Sequence, residues 1–223
     1  MREYSQGGKR SRGFTLIEIL VGVAILAILS AALTPLVIKY VNDGRRARAL
    51  SDSQTIGQAV LAFQLDTGMW PVNDDASVLN ASELSRLVGL ASPIVVASIP
   101  TGSGWPSLGT AGALADQLIR NRNATINPLY TVSLSSPEPP GWNGPYLKQI
   151  PLDPWAHPYV CNVRYLDGAR VTGITAVMED NHAVMCLSAG PNGVFDTPMA
   201  DATLLQAGQV GDDIGWNIQG LQL

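Results

Sequence analysis

From Phe14 to Ile38 every position except Glu18 is apolar, small, or Ser, Thr or Pro. A run of that length exceeds the roughly 20 residues that an α-helix needs to cross a bilayer's hydrocarbon core. Beyond Ile38 the pattern turns amphipathic. Leu50, Ile56, Val60 and Phe63, with Ala49, Ala59 and Ala62, recur at helical spacing among Arg45, Arg46, Arg48, Asp52 and Gln58. One helix is therefore predicted from Phe14 to about Leu65, its distal half packed against a globular head. Asp66, Thr67 and Gly68 stop it, the glycine supplying the usual helix exit.

The remaining pattern is mixed. "ASELSRLV", residues 81–88, predicts a short helix with Ser82 as N-cap. From Gly89 to about Gly141 the chain is rich in Gly, Ser and Pro, as in "SIPTGSGWPSLGTAG" and "SLSSPEPPGW", which predicts loops, with "GALADQLIRN" (112–121) as a helix between them. "YVCNVRYL", "RVTGITAVM" and "HAVMCLSAG" have the β-branched, alternating character of strands. The expected class is α+β: a long N-terminal helix with an antiparallel sheet of three or four strands laid across it.

Composition adds little to this: 223 residues leave room beyond the apolar run for one modest domain, and 22 Gly and 15 Pro fit long loops. Charge adds more. Residues 1–13 hold Arg2, Lys9, Arg10 and Arg12 against Glu3, a net of +3 in a chain of net −4, so the rest is near −7. No Lys or Arg follows Arg170, whereas Glu179, Asp180, Asp196, Asp201, Asp212 and Asp213 do. Such a surface argues against nucleic acid as a partner and suits a bound cation. Cys161 and Cys186 could form a disulfide in an exported domain or remain two buried thiols. The spacing His157-x3-Cys161 and His182-x3-Cys186 invites zinc, but on strands such residues lie roughly 13 Å apart, too far to chelate one ion together.

Glu18 needs a reason, because a carboxylate in a membrane costs on the order of 3 kcal/mol at the helix centre and somewhat less near an end. The apolar run is too long for a secretory signal peptide. A plain signal anchor leaves Glu18 unexplained. "GFTLIEILV", residues 13–21, closely resembles the type III signal of type IV prepilins and pseudopilins: a basic leader, Gly, then Phe, then Glu. The resemblance implies cleavage by a membrane prepilin peptidase between Gly13 and Phe14 and N-methylation of Phe14. It also implies that Glu18, about 6 Å deeper at 1.5 Å per residue, meets the cationic amino group of an adjacent subunit in a filament. Opposite charges attract far more strongly in a low-dielectric bundle than in water. Pro35 lies where the family has a proline that lets the helix loosen on assembly; by itself proline removes a helix hydrogen bond and kinks or locally melts a helix.

Two further blocks resemble the major pseudopilin of type II secretion: "LDTGMWPVND" after the helix, and "GPYLKQIPLDPWAHPYV" (144–160), similar to that family's "GPYL…PxDPWGxPY". "LSAGPNGVFD…GQVGDDIGWN" resembles its calcium loop. The resemblance implies a calcium site in which Asp212 and Asp213 match the family's ending. Asn192 stands where an acidic side chain is usual, and Leu187 or Ser188 lends carbonyls. Calcium takes six to eight hard oxygens. Pro191, Asn192, the longer segment 194–211 and "GWN" in place of "GNW" depart from that pattern, so a solvated acidic loop is the alternative.

The expected organisation is a cleaved leader (1–13), a membrane-spanning, polymerising half-helix (14–38), an amphipathic half-helix (39–66) and a periplasmic head (67–223) with a family-unlike insertion at about 89–140. The expected function is that of a structural pseudopilin at the inner membrane. It would assemble with itself into a helical filament, and with other pseudopilins on an inner-membrane assembly platform, for type II-like secretion. The rivals are a type IV pilin of a surface filament and an anchored calcium-binding module that does not polymerise. No nucleophile–base motif, Walker loop or dinucleotide loop supports an enzyme.

Overall fold

A computed structural model describes residues 13–68, 70–71, 84–90, 99–102, 105, 110–122, 129–130, 141–163, 185–198 and 211–218. Helix α1 runs Leu16–Thr67, 52 residues, or about 78 Å at 1.5 Å per residue. Both ends fall within two residues of the expected bounds. Gly68 has φ 65, and its N–H donates to Gln64 O at 2.8 Å, closing the helix as expected. The helix is unbroken at Pro35. Immediately before it, Thr34 Oγ1 donates to Ser30 O at 2.7 Å.

The chain divides into two units within α1, between Gly44 and Arg45. In the first, every described residue is exposed. The second carries the buried stripe of α1: Ala49, Ser53, Ile56, Val60, Phe63 and Thr67, at helical spacing.

That stripe packs on a five-stranded sheet: β1 Leu84–Val88, β2 Thr110–Ala113, β3 Val160–Asn162, β4 Met185–Ser188 and β5 Ile214–Asn217, in the order β2-β1-β3-β4-β5. Alternation across the register assigns the two faces. Leu87, Cys161, Cys186 and Trp216 form one cross-strand row, which meets Ile56, Val60 and Phe63 of α1 in the larger core. Phe63 packs edge-on against Tyr130 at 4.7 Å and Tyr146 at 5.5 Å. The next row, Val88, Val160 and Leu187, faces a second core with Ile99, Trp105, Met185, Ala189 and Phe195. Tyr159 ties the sheet back to the helix, its hydroxyl donating to Asp52 Oδ2 at 3.0 Å.

Several expectations need correction. Residues 84–88 are a strand, not a helix: Leu87 and Val88 bury on opposite faces, and β1 is paired on both sides. The expected helix over 112–121 opens instead as the end of β2 and continues as a short π-helix, Asp116–Arg120. The sheet is mixed rather than antiparallel, because β1 and β2 run parallel. It also gains β5 from the "IGWN" stretch read as a loop ending. The expected strand over 170–178 and the N-cap at Ser82 lie outside the described residues.

Candidate functional site

Two places carry the candidate residues, the start of α1 and the loops at the ends of β4 and β5. At the helix start, Gly13 and Phe14 precede the first turn, and Phe14 is 80% exposed. Thr15 and Glu18 interlock. The Glu18 N–H donates to Thr15 Oγ1 at 3.3 Å, while the Thr15 N–H and hydroxyl donate to Glu18 Oε2 at 3.3 and 3.4 Å. This is a reciprocal capping box, which satisfies two of the amide groups that a helix leaves without partners. The carboxylate also sits at the positive end of the helix dipole. The Thr-x-x-Glu spacing was visible in the sequence, yet the family resemblance drew attention only to the glutamate. Beyond it, the exposed Leu16, Ile17, Leu20, Leu26, Ile28 and Leu33 make α1 long and apolar enough to cross a membrane.

The second place begins with the "DPWAH" turn. Asp153 Oδ1 accepts the N–H groups of Trp155 at 2.9 Å and His157 at 2.8 Å, and Ser188 Oγ donates to Asp153 Oδ2. His157 Nδ1 donates to Gly190 O at 3.0 Å. This turn therefore braces the chain as it leaves β4. Asn192 donates its N–H to Asp212 Oδ2 at 3.0 Å, and its own Oδ1 accepts the Val194 N–H at 2.6 Å. Asp213 is fully buried. Its Oδ2 accepts the N–H groups of Asp196 at 2.9 Å and Thr197 at 2.7 Å. Burial pushes the Asp213 carboxyl up to about 6; the Thr197 and Asp196 hydrogen bonds oppose that rise, and the nearby Asp196 charge adds to it. Asp212 Oδ1 and Asp213 Oδ1 are buried with no hydrogen-bond partner among the described residues.

Of the residues expected around a cation, the structure thus brings Asn192 to Asp212, and Asp213 follows Asp212 in the chain, directly before β5. Ser188 turns its hydroxyl to Asp153, and Leu187 lies within β4 between Val160 and Gly215. Sequence reasoning counted Asp196 in the acidic tail without giving it a place in the site, and it missed Thr197. Asp196 lies so close to the 211–213 turn that a Cβ on Gly211 would fall 1.8 Å from its Oδ2. Among the described residues no three His, Cys, Asp or Glu side chains converge as a metal-holding group. A cation here would draw on backbone and amide oxygens as well, which suits calcium better than a transition metal.

Cys161 and Cys186 are joined in a disulfide between directly paired residues of β3 and β4, and both are fully buried. That leaves neither as a thiolate for zinc. His182 lies outside the described residues.

A family model for the prokaryotic N-terminal methylation motif matches residues 8–34, and one for type II secretion system (T2SS), protein G matches residues 121–172. The second match reaches back into the region 89–140 that was expected to depart from the family. A type II secretion system core protein G of Pseudomonas aeruginosa is 28% identical over 152 residues, which is 68% of this chain and 72% of the relative. A type II secretion system core protein G of Vibrio cholerae is 24% identical over 217 residues, 96% of this chain and 97% of the relative. The type IV major pilin protein PilE1 of Neisseria gonorrhoeae is 35% identical over 78 residues, 35% of this chain and 36% of the relative. No solved structure matches the chain. The chain thus carries an N-terminal methylation motif on a long apolar helix and, through its head, is similar to type II secretion core protein G.

Proposed function

We propose that this chain is a pseudopilin subunit of a type II-like secretion system. A prepilin peptidase removes residues 1–13 and the new amino terminus at Phe14 is methylated. The first half of α1 holds the subunit in the inner membrane with its head in the periplasm. An assembly platform then draws it into a filament of its own copies and other pseudopilins. The role is structural rather than enzymatic. The observation that carries this reading is an apolar half-helix with every residue exposed, beginning directly after the Gly13–Phe14 junction. Exposed apolar surface of that extent is stable only in lipid or against other helices. Intact mass and amino-terminal sequencing of the membrane-extracted protein test it: the expected chain starts at a singly methylated Phe14. A chain that keeps Met1 to Gly13 while the peptidase is active overturns it.

A type IV pilin of a surface filament is the second reading, supported by the similarity to PilE1. The protein G match over 121–172 favours the secretion pseudopilin.

The acidic loops fit a calcium ion held by Asp212 and Asp213 with oxygens from the 187–197 segment, Asn192 among them. Two buried carboxylate oxygens without partners among the described residues are the supporting observation. A bound cation would supply the positive charge those oxygens lack. Calcium at a hundredfold excess over Kd should stabilise the native chain by about 2.7 kcal/mol, or roughly 5–10 °C in melting midpoint for a domain of this size. Magnesium should do less, since it demands a tight octahedron and holds its waters. A midpoint unchanged by chelator removes the site.

A further inference from the structure

Trp105 lies outside both matched family segments, yet it is fully buried against the acidic loops. Its ring packs on Phe195, centroids 4.7 Å apart, and its indole N–H donates to Thr197 O at 2.8 Å. The chain around it is tied to the same stretch. Thr101 forms a parallel bridge with Val194, and its carbonyl accepts the Phe195 N–H at 2.7 Å. Gly102, at φ +110, lets the two backbones touch: a Cβ there would fall 2.3 Å from Phe195 O. Trp105 N–H in turn donates to Gly102 O at 3.0 Å, so the segment is braced on itself.

These contacts converge on one carboxylate. The residue whose carbonyl is held by Trp105, Thr197, uses its own N–H to hold Asp213 Oδ2 at 2.7 Å, and Asp196 N–H grips the same oxygen. With both amides on Oδ2, Asp213 Oδ1 is the oxygen left without a partner among the described residues. We infer that Trp105 is a positioning residue for a divalent-cation site at Asp213. Docked on Val194–Thr197, it fixes the peptide units that aim the free carboxylate oxygen. This rests on the calcium reading above. Without the indole N–H, the Thr197 carbonyl is free to turn, the two amides lose their fixed direction, and the ordering they supplied must be paid on cation binding instead.

The test uses the full processed chain in detergent micelles, freed of calcium by chelator and titrated with calcium chloride by calorimetry. Trp105→Phe keeps a ring against Phe195 and removes the N–H. Trp142→Phe is the control, because it removes an indole N–H from Gln117 O at 3.2 Å in the other core. Gly102→Ala disturbs the same docking from the opposite side and serves if Trp105→Phe does not fold. The expected result is a calcium Kd raised about three- to tenfold by Trp105→Phe, the scale of one buried hydrogen bond. Gly102→Ala should act in the same sense, and Trp142→Phe should leave Kd unchanged. Wild-type affinity in Trp105→Phe, or equal weakening by Trp105→Phe and Trp142→Phe, overturns the positioning role while leaving the calcium site standing. A wild-type chain that takes up no calcium overturns both.

Discussion

The indole of Trp216 on β5 lies in the notch that Gly57 leaves in helix α1: a Cβ at residue 57 would come within 2.3 Å of Trp216 Cε3 and 3.2 Å of Ile218 Cγ1. This contact brings the last strand against the helix, and it sets two effects of a Gly57→Ala substitution against each other. Alanine favours a helix interior by roughly 0.5–1 kcal/mol over glycine. Overpacking against a rigid ring typically costs about 1–3 kcal/mol. The ring cannot swing away as a lysine tip would, so the clash wins. Gly57→Ala should lower the thermal midpoint by a few degrees, and the added substitution Trp216→Leu should restore part of the loss. A midpoint raised by Gly57→Ala alone would show that the notch is not filled in solution.

The Cys161–Cys186 bond closes a loop with a sequence separation of 25. In the chain-entropy account a loop of that length stabilises by about 3 kcal/mol. The paired substitution Cys161→Ser with Cys186→Ser should therefore lower the midpoint by roughly 6–12 °C. Both cysteines are fully buried, so alkylation after treatment with reductant should be slow in the native protein and rapid in denaturant. Rapid labelling of the chain in denaturant without prior reductant would mean that the cysteines are not bonded.

At the start of α1 the structure separates two roles that Glu18 could play. The capping box with Thr15 needs only an oxygen acceptor, and glutamine serves there nearly as well as glutamate. Pairing with a neighbouring subunit's amino group needs the charge. Glu18→Gln and Glu18→Ala should both be inserted and cleaved, and both should fail to form filaments, as seen by electron microscopy or cross-linking. If Glu18→Gln polymerises like wild type and Glu18→Ala does not, the glutamate is a helix cap and not a register device. Thr15→Ala should weaken the helix start by about 1 kcal/mol.

What the sequence disclosed follows the range of the physics involved. The apolar run, the Ile56–Val60–Phe63 stripe and the Gly68 exit are local patterns, and α1 came out within two residues at each end. β1 was misread because Glu83, Leu84, Arg86 and Leu87 are good helix formers, and pairing with β2 and β3 overrides that weak local preference. The parallel β1–β2 pairing and the five-strand order depend on long-range contacts that leave no periodic trace. At the candidate site, Asp212 and Asp213 could be picked out by charge. Asp196 shared that charge but not its role, which like those of Thr197 and Trp105 runs through backbone groups paired 16 to 92 residues apart in the chain. The Thr15–Glu18 box is different: its spacing was legible, and only its partner role went unread.

Asp213 gives the loops a pH dependence whose sign can be worked out. Its carboxyl titrates at about 6 in the fold, against 3.8 for the free group, chiefly because burial disfavours the charge. A folded value above the unfolded one means that the native chain holds this proton more tightly. The resulting stabilisation is fully present below about pH 4 and is lost as pH rises through about 6. Asp213→Asn mimics the protonated state, so with chelator present it should melt above wild type at pH 7, and the gap should close as pH falls towards 4. Calcium reverses the comparison at pH 7, because the wild-type carboxylate can bind the ion and asparagine supplies no charge. Proton and calcium compete for the same group, so the wild-type calcium Kd should rise as pH drops below about 6. Melting both proteins across pH 4–8, with calcium and with chelator, checks the whole pattern; an Asp213→Asn chain that melts below wild type in chelator at every pH would mean that the buried carboxylate is stabilising in its own right.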